Sequence, residues 1–207
     1  MRSHERPVLP GEIALLLGLV INSLAVTLLV KSGFGISVVS SVPYILHLAV
    51  PALSLGTWNA LIQCAWMLLL SLYLGRFRPG YILSFGLAAV FGYMLDLWTL
   101  ALSSLPLALP FRLLWFVLGL FSMATGIAFL VRCGLPVLPF DTVTRELVAV
   151  KGWSVRAART RFDLTNLVLG LALSLGLLGR IDGIGVGSVV CALLLGTVAG
   201  AVTNRLD

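Results

Sequence analysis

Charge is scarce in this chain of 207 residues: Asp, Glu, Lys and Arg make up 11% of it, against a hydrophobic fraction of 59% and a mean hydropathy of +1.08. So little charge excludes a soluble domain of ordinary composition and implies a protein embedded in a membrane. Histidine is scarcer still. His4 lies in the N-terminal tail and His47 has no acid close to it, so no HExxH pair and no Ser-His or Cys-His partnership is suggested. Cys64, Cys133 and Cys191 stand alone with no CxxC spacing, which argues against a disulfide framework or a metal site and for packing. A Walker loop is missing as well. The expectation is a protein that is not an enzyme, with no cofactor and no metal.

What is present is long apolar runs. About 30 Å of hydrocarbon demands roughly 20 residues of helix at 1.5 Å each. Six runs meet or approach that length: Glu12–Val30, Thr57–Leu74, Tyr81–Leu97, Leu113–Val131, Leu164–Leu178 and Gly185–Thr203. The fifth is the shortest and is expected to extend back through Arg161 and Phe162. The first lacks a small-residue cleavage pattern and is expected to stay as a membrane helix. The net charge of +6 lies in the connections between runs, not on a basic face, which points to lipid headgroups and away from nucleic acid. With the N-terminus inside, eleven basic residues fall on the cytoplasmic side and only Lys31, Arg112 and Arg180 outside. That asymmetry predicts a multi-pass protein of a cytoplasmic membrane with both termini cytoplasmic.

The chain also repeats itself. Displaced by 101 residues, LVKSGFG (Leu29–Gly35) lies on LVRCGLP (Leu130–Pro136), Gly18-Leu19 on Gly119-Leu120, Val42 on Val143 and Leu46 on Leu147. After a three-residue gap LGR (Leu74–Arg76) lies on LGR (Leu178–Arg180), Ser84 on Ser188 and Gly92 on Gly196. Within a single membrane domain, residues 1–207, this reads as two halves of three spans, 12–98 and 113–204. An odd number of spans per half makes the repeat inverted, the plan of many secondary transporters, whose sites form where the halves meet. The expected fold class is therefore an all-α integral membrane protein of six transmembrane helices in two inverted three-helix repeats.

Between the first and second run of each half lies a segment of about 12 residues, too short to span. One begins GFGISVVSS and carries Ser37, Ser40 and Ser41; the other, GLPVLPFDTVTREL, carries Asp141 and Thr142. Two readings stay open. Both segments dip back as re-entrant half-helices whose unpaired N–H groups clamp a solute, or both lie along the interface as amphipathic helices. Asp141 and Arg145, four apart with the acid first, are expected to pair on one helix face.

The order SGFG, a short Ser- and Pro-containing segment, LSLGTWNALIQ, GLP with PFD, RFDLTN and GRIDGIGVGS resembles the YczE/YyaS/YitT-type bacterial integral membrane proteins over almost the whole chain. The resemblance implies six spans in a bacterial inner membrane with a transporter-like repeat, and it offers no catalytic residues to carry over.

Polar side chains inside the runs are costly and usually turn toward the bundle or a cavity. Asn59 and Gln63 share a helix face at i,i+4, and Asp163 and Asn166 share one at i,i+3. The gapped repeat lays Asn59 on Asp163. The two patches can receive a polar solute, or they are helix-to-helix glue, with Asp163 paired to Arg159 or Arg161. Asp96, beside Trp98, reads as interfacial or as a proton-coupling acid. The glycines from Gly183 to Gly200 read as close-packing points and leave a homodimer open. The leading expectation is a permease or exporter of a small polar solute, lined by Asn59, Gln63, Asp163, Asn166, Ser37, Ser40, Ser41, Asp141 and Thr142. The alternatives are a substrate-binding subunit of a multi-component transporter and a non-catalytic membrane scaffold; the expected partners are membrane lipids and the solute.

Overall fold

A computed structural model describes residues 10–135 and 137–205, and it is all helix and turn. The order is α1 Gly11–Ser32, α2 Val38–Ala49, α3 Leu55–Leu74, α4 Gly80–Ala101, α5 Leu109–Arg132, α6 Pro139–Lys151, α7 Val155–Leu173 and α8 Val186–Arg205. A π-helical turn, Ser174–Leu178, continues α7. Among the described residues five helices are long and apolar enough to cross a membrane: α1, α3, α4, α5 and α7 with its π turn. α8 covers the sixth run expected from sequence, with Val186–Leu195 as its described apolar stretch. The exposed large apolar side chains are mostly Leu, Val, Ile and Phe, with Tyr73 and Tyr93 among them, as lipid contact favours.

α7 starts nine residues before the apolar run that announces it. Arg156, Arg159, Arg161 and Asp163 dilute its first turns. They still form helix because Ser154 caps it, its side chain accepting from Ala157 N at 3.2 Å, and because Arg159 is neutralised by two acids.

α1 and α5 form a central antiparallel pair, and small residues set how closely they approach. A Cβ on Gly18 would lie 2.7 Å from Cδ2 of Leu130, and one on Gly119 would lie 3.0 Å from Cγ of Leu29. α4 packs on α1, and α8 packs on α5. α3 and α4 make a tight hairpin in which a Cβ on Gly56 would overlap the carbonyl oxygen of Gly92. Here only glycine lets the two backbones meet.

The short helices α2 and α6 pack against the same two long ones, α3 and α7. The bend before α2 is fixed to the approach to α8: Ile36 N–H donates to Gly183 O at 3.1 Å and Gly187 N–H to Phe34 O at 2.8 Å. From Gly35 to His47 no residue is exposed, so most of α2 is buried or half-buried, and Leu48 near its end is exposed. Pro43 inside it removes the N–H that the Val39 carbonyl would otherwise receive.

Candidate functional site

One group of buried polar side chains lies on α2, α3, α6 and α7; another, Asn22, Ser23, Thr27 and Ser32, lies on α1. On α3, Asn59 and Gln63 are each only 1% exposed. Gln63 Nε2 donates to Asn59 Oδ1 at 2.7 Å, so the i,i+4 pair is joined as one unit. Gln63 Oε1 is buried with no hydrogen-bond partner among the described residues. A buried amide oxygen left bare costs about 1–3 kcal/mol unless something else supplies a donor.

Asn166 on α7 is fully buried. Its Nδ2 donates back to Phe162 O at 2.8 Å and its Oδ1 accepts from Trp66 Nε1 of α3 at 3.2 Å. Asn166 is thus tied to α3 by Trp66. Trp66 also meets Phe162 edge to face at 5.1 Å. A cavity of about 260 Å³ lies beside this contact, lined by Trp66, Leu70, Val143 and Phe162.

Asp163, expected beside Asn166, turns the other way. Its Oδ2 lies 3.4 Å from Arg159 Nε, and Arg159 Nη1 donates to Asp141 Oδ1 of α6 at 3.1 Å. The expected Asp141–Arg145 pair is replaced by this Asp141–Arg159–Asp163 strut, because the face of α6 that carries Asp141 is turned to α7. The strut is between a third and two fifths exposed and borders a cavity of about 350 Å³. Asp163 Oδ1 is buried and without a hydrogen bond.

Ser41 on α2 is fully buried; its hydroxyl donates to Val38 O at 2.6 Å and packs over Gly170 of α7. Ser40 is buried beside it. Ser37 sits at the N-cap of α2, half-buried, with its side chain making no capping bond. Thr142 on α6 donates to Val137 O at 3.2 Å. Trp66 thus joins Asn166 to α3, the helix that carries Asn59 and Gln63; Ser40 and Ser41 lie on the adjoining α2, and Asp141 and Asp163 turn to Arg159.

Asp96 serves the α3 start. Its Oδ1 accepts from Gly56 N–H at 2.8 Å and its Oδ2 from the Ser54 hydroxyl. A carboxylate on the first-turn amides of a helix balances its dipole, which accounts for an acid in an apolar run. His47 is likewise occupied, its Nδ1 lying 2.9 Å from Leu53 O. Glu146 of α6 is buried and holds Arg78 and Arg76 from the α3–α4 connection. The sequence signal for this contact is Arg76-Phe77-Arg78 between two spans and the lone Glu of the second short segment. Gly196 and Gly200 lie outside the residues whose side chains are described.

These features define a multi-pass membrane protein with a polar layer inside a helical bundle. The chain belongs to DUF6198, a family of unknown function, whose family model matches residues 10–204. No curated protein and no solved structure matches the chain.

Proposed function

We propose that the protein moves a small polar solute across the membrane by rearrangement of two inverted halves, with the Asn59–Gln63–Trp66–Asn166 layer as its recognition site. The supporting observation is that contacts recur when the halves are exchanged. Gly18 packs on Leu130 and Gly119 on Leu29, and displacement by 101 residues turns one pair into the other. The same exchange relates the α1–α4 packing to α5–α8, α2–α3 to α6–α7, and α2–α7 to α6–α3. Gly33 and Gly134 share a φ of 65°, and Gly75 and Gly179 have 62° and 65°.

On this reading α8 is the sixth span, both termini are cytoplasmic, and the resemblance to the YczE/YyaS/YitT-type proteins reflects a common plan. α2 supports the re-entrant alternative over the interfacial one. A helix lying in the headgroups exposes a face, whereas α2 has none exposed from Gly35 to His47. Gln63 Oε1 offers an acceptor that a solute N–H or O–H would satisfy. Asn59, Gln63 and Asn166 line none of the cavities above, as in a closed state of an alternating-access cycle.

The test is flux. Proteoliposomes are challenged with amino acids, polyols and short amides, and swelling or counterflow is followed against protein-free vesicles. Transport predicts solute-dependent flux that Gln63→Leu and Asn166→Leu abolish while both variants still fold. Flux equal to empty vesicles across the panel removes the proposal and returns weight to the subunit or scaffold alternatives.

A further inference from the structure

The cavity of about 260 Å³ beside Trp66 is a crevice between α3, α6 and α7. It follows α3 from Tyr73, in the last turn, back to Trp66, about 10 Å at 1.5 Å per residue. Leu70, Val143 and Phe162 are its buried lining, and Leu69, which also lines it, is exposed. Trp66 and Thr165 bring polar groups to it, and both are spent. Trp66 Nε1 donates to Asn166 Oδ1 and the Thr165 hydroxyl donates to Arg161 O at 2.8 Å. What the crevice offers an occupant along its length is apolar surface.

At the Tyr73 end the charge is all of one sign. Arg161 of α7 lies with its Cζ 4.0 Å from the centroid of the Trp153 ring, and Lys151, the last residue of α6, lies with its Nζ 4.8 Å from the centroid of the Tyr73 ring. Both rings line the crevice. An aromatic face holds a cation in place without neutralising it. The acids of these three helices are engaged elsewhere: Glu146 by Arg76 and Arg78, Asp141 and Asp163 by Arg159, while α3 carries none. Lys151 and Arg161 therefore have no ion pair among the described residues.

Tyr and Trp rings settle at the headgroup level of a bilayer, which sets this end of the crevice at the lipid phosphates and its length in the hydrocarbon. An apolar crevice that ends in two unneutralised cations is complementary to an amphiphile with an anionic head. A zwitterionic headgroup would bring its ammonium to a place with no free carboxylate. We propose that the crevice holds one acyl chain of an anionic phospholipid, whose phosphate is met by Lys151 and Arg161. The inference goes beyond transport and does not rest on it, since neither cation belongs to the polar layer.

The experiment uses the full chain in phosphatidylcholine nanodiscs that carry phosphatidylglycerol, or phosphatidylethanolamine in its place, as the minor lipid. Native mass spectrometry counts the lipid retained on release as its fraction in the disc is raised. The variants are Lys151→Gln, Arg161→Gln and Leu69→Trp, which fills the crevice and leaves its charge alone. Arg145→Gln is the control, the same loss of charge on the face of α6 opposite Val143 and Leu147. All four side chains are exposed, so the folded state survives each change, and melting temperatures verify it. Phosphatidylglycerol should be retained in preference to the other two lipids. Lys151→Gln and Arg161→Gln should each weaken that retention about fivefold, Leu69→Trp should remove it, and the control should leave it unchanged. Glycerol 3-phosphate, a head without chains, should not compete. Equal retention of the three lipids overturns the proposal. So does retention that Arg145→Gln lowers as much as Arg161→Gln, because overall charge alone would then explain it. Retention that survives Leu69→Trp, or that glycerol 3-phosphate displaces, overturns it too, because the chain would then contribute nothing.

Discussion

The central α1–α5 contact makes the sharpest energetic prediction. A Cβ at Gly18 would stand 2.7 Å from Leu130 Cδ2, about 0.7 Å inside the 3.4 Å at which ordinary contact begins. At Gly119 the approach to Leu29 Cγ is 3.0 Å, about 0.4 Å too close. Leu130 is 5% exposed and Leu29 not at all, so neither side chain has room to withdraw. Overpacking of this kind costs about 1–3 kcal/mol, and about 1 kcal/mol returns from the better helix propensity of alanine. Gly18→Ala is therefore neutral to destabilising by about 2 kcal/mol. Shortening the partner relieves most of the clash: in a Leu130→Ala background only the Gly126 carbonyl oxygen, 3.2 Å away, still crowds the new Cβ, and the same change costs less than in the parent. The coupling energy from the double-mutant cycle should be about 1–3 kcal/mol. The exchanged pair, Gly119→Ala with Leu29→Ala, should couple with the same sign and a smaller size. Gly18 with Leu29, about 16 Å apart along α1, should not couple. Equilibrium unfolding in mixed dodecyl maltoside and SDS micelles, followed by tryptophan fluorescence, measures all three cycles. Couplings below about 0.5 kcal/mol for both exchanged pairs, or one as large for Gly18 with Leu29, would refute the packing argument.

Other perturbations follow from the same geometry. Gly92→Ala, which would drive a Cβ into the Gly56 carbonyl, should lower the melting temperature sharply, whereas Gly86→Ala, with open space around it, should raise it slightly. Asp96→Ala strips the carboxylate from the start of α3 and should cost about 1–2 kcal/mol in the same unfolding assay. Asn166→Leu breaks the Trp66 bond and should cost about 0.6–2 kcal/mol, too little to unfold the protein. Arg159→Met parts α6 from α7, and hydrogen exchange should rise in α6 while α1 keeps its protection.

Hydropathy alone placed α1, α3, α4 and α5 within about four residues at each end, because each is apolar nearly all round. It failed at the start of α7, where four charged residues hide a helix that tertiary ion pairing stabilises. The two short segments were legible from length alone, at 12 and 13 residues. The burial of α2 was not, since it depends on the packing of α3 and α7 around it, and α6 keeps Arg145, Ala149, Val150 and Lys151 exposed. Within one helix the i,i+4 rule joined Asn59 to Gln63 but not Asp141 to Arg145. Between helices it was blind, because spacing does not fix how a helix is rotated. The rotation of α6 gave Asp141 to Arg159 instead of Arg145, and that of α3 gave Asn166 to Trp66. Asp96 looked like a misplaced acid until the start of α3 was seen beside it.

The account stands on α2 and α6 reaching a shared pathway between the two halves. The most direct measurement is single-cysteine accessibility at positions Ile36 to Tyr44 and Val137 to Thr144, in a background lacking Cys64, Cys133 and Cys191, with membrane-impermeant reagents applied from each side. The account predicts that positions in both segments react from the side opposite their own connection, or are protected by a transported solute. Reaction of every position only from its own side would contradict it and make both segments surface helices.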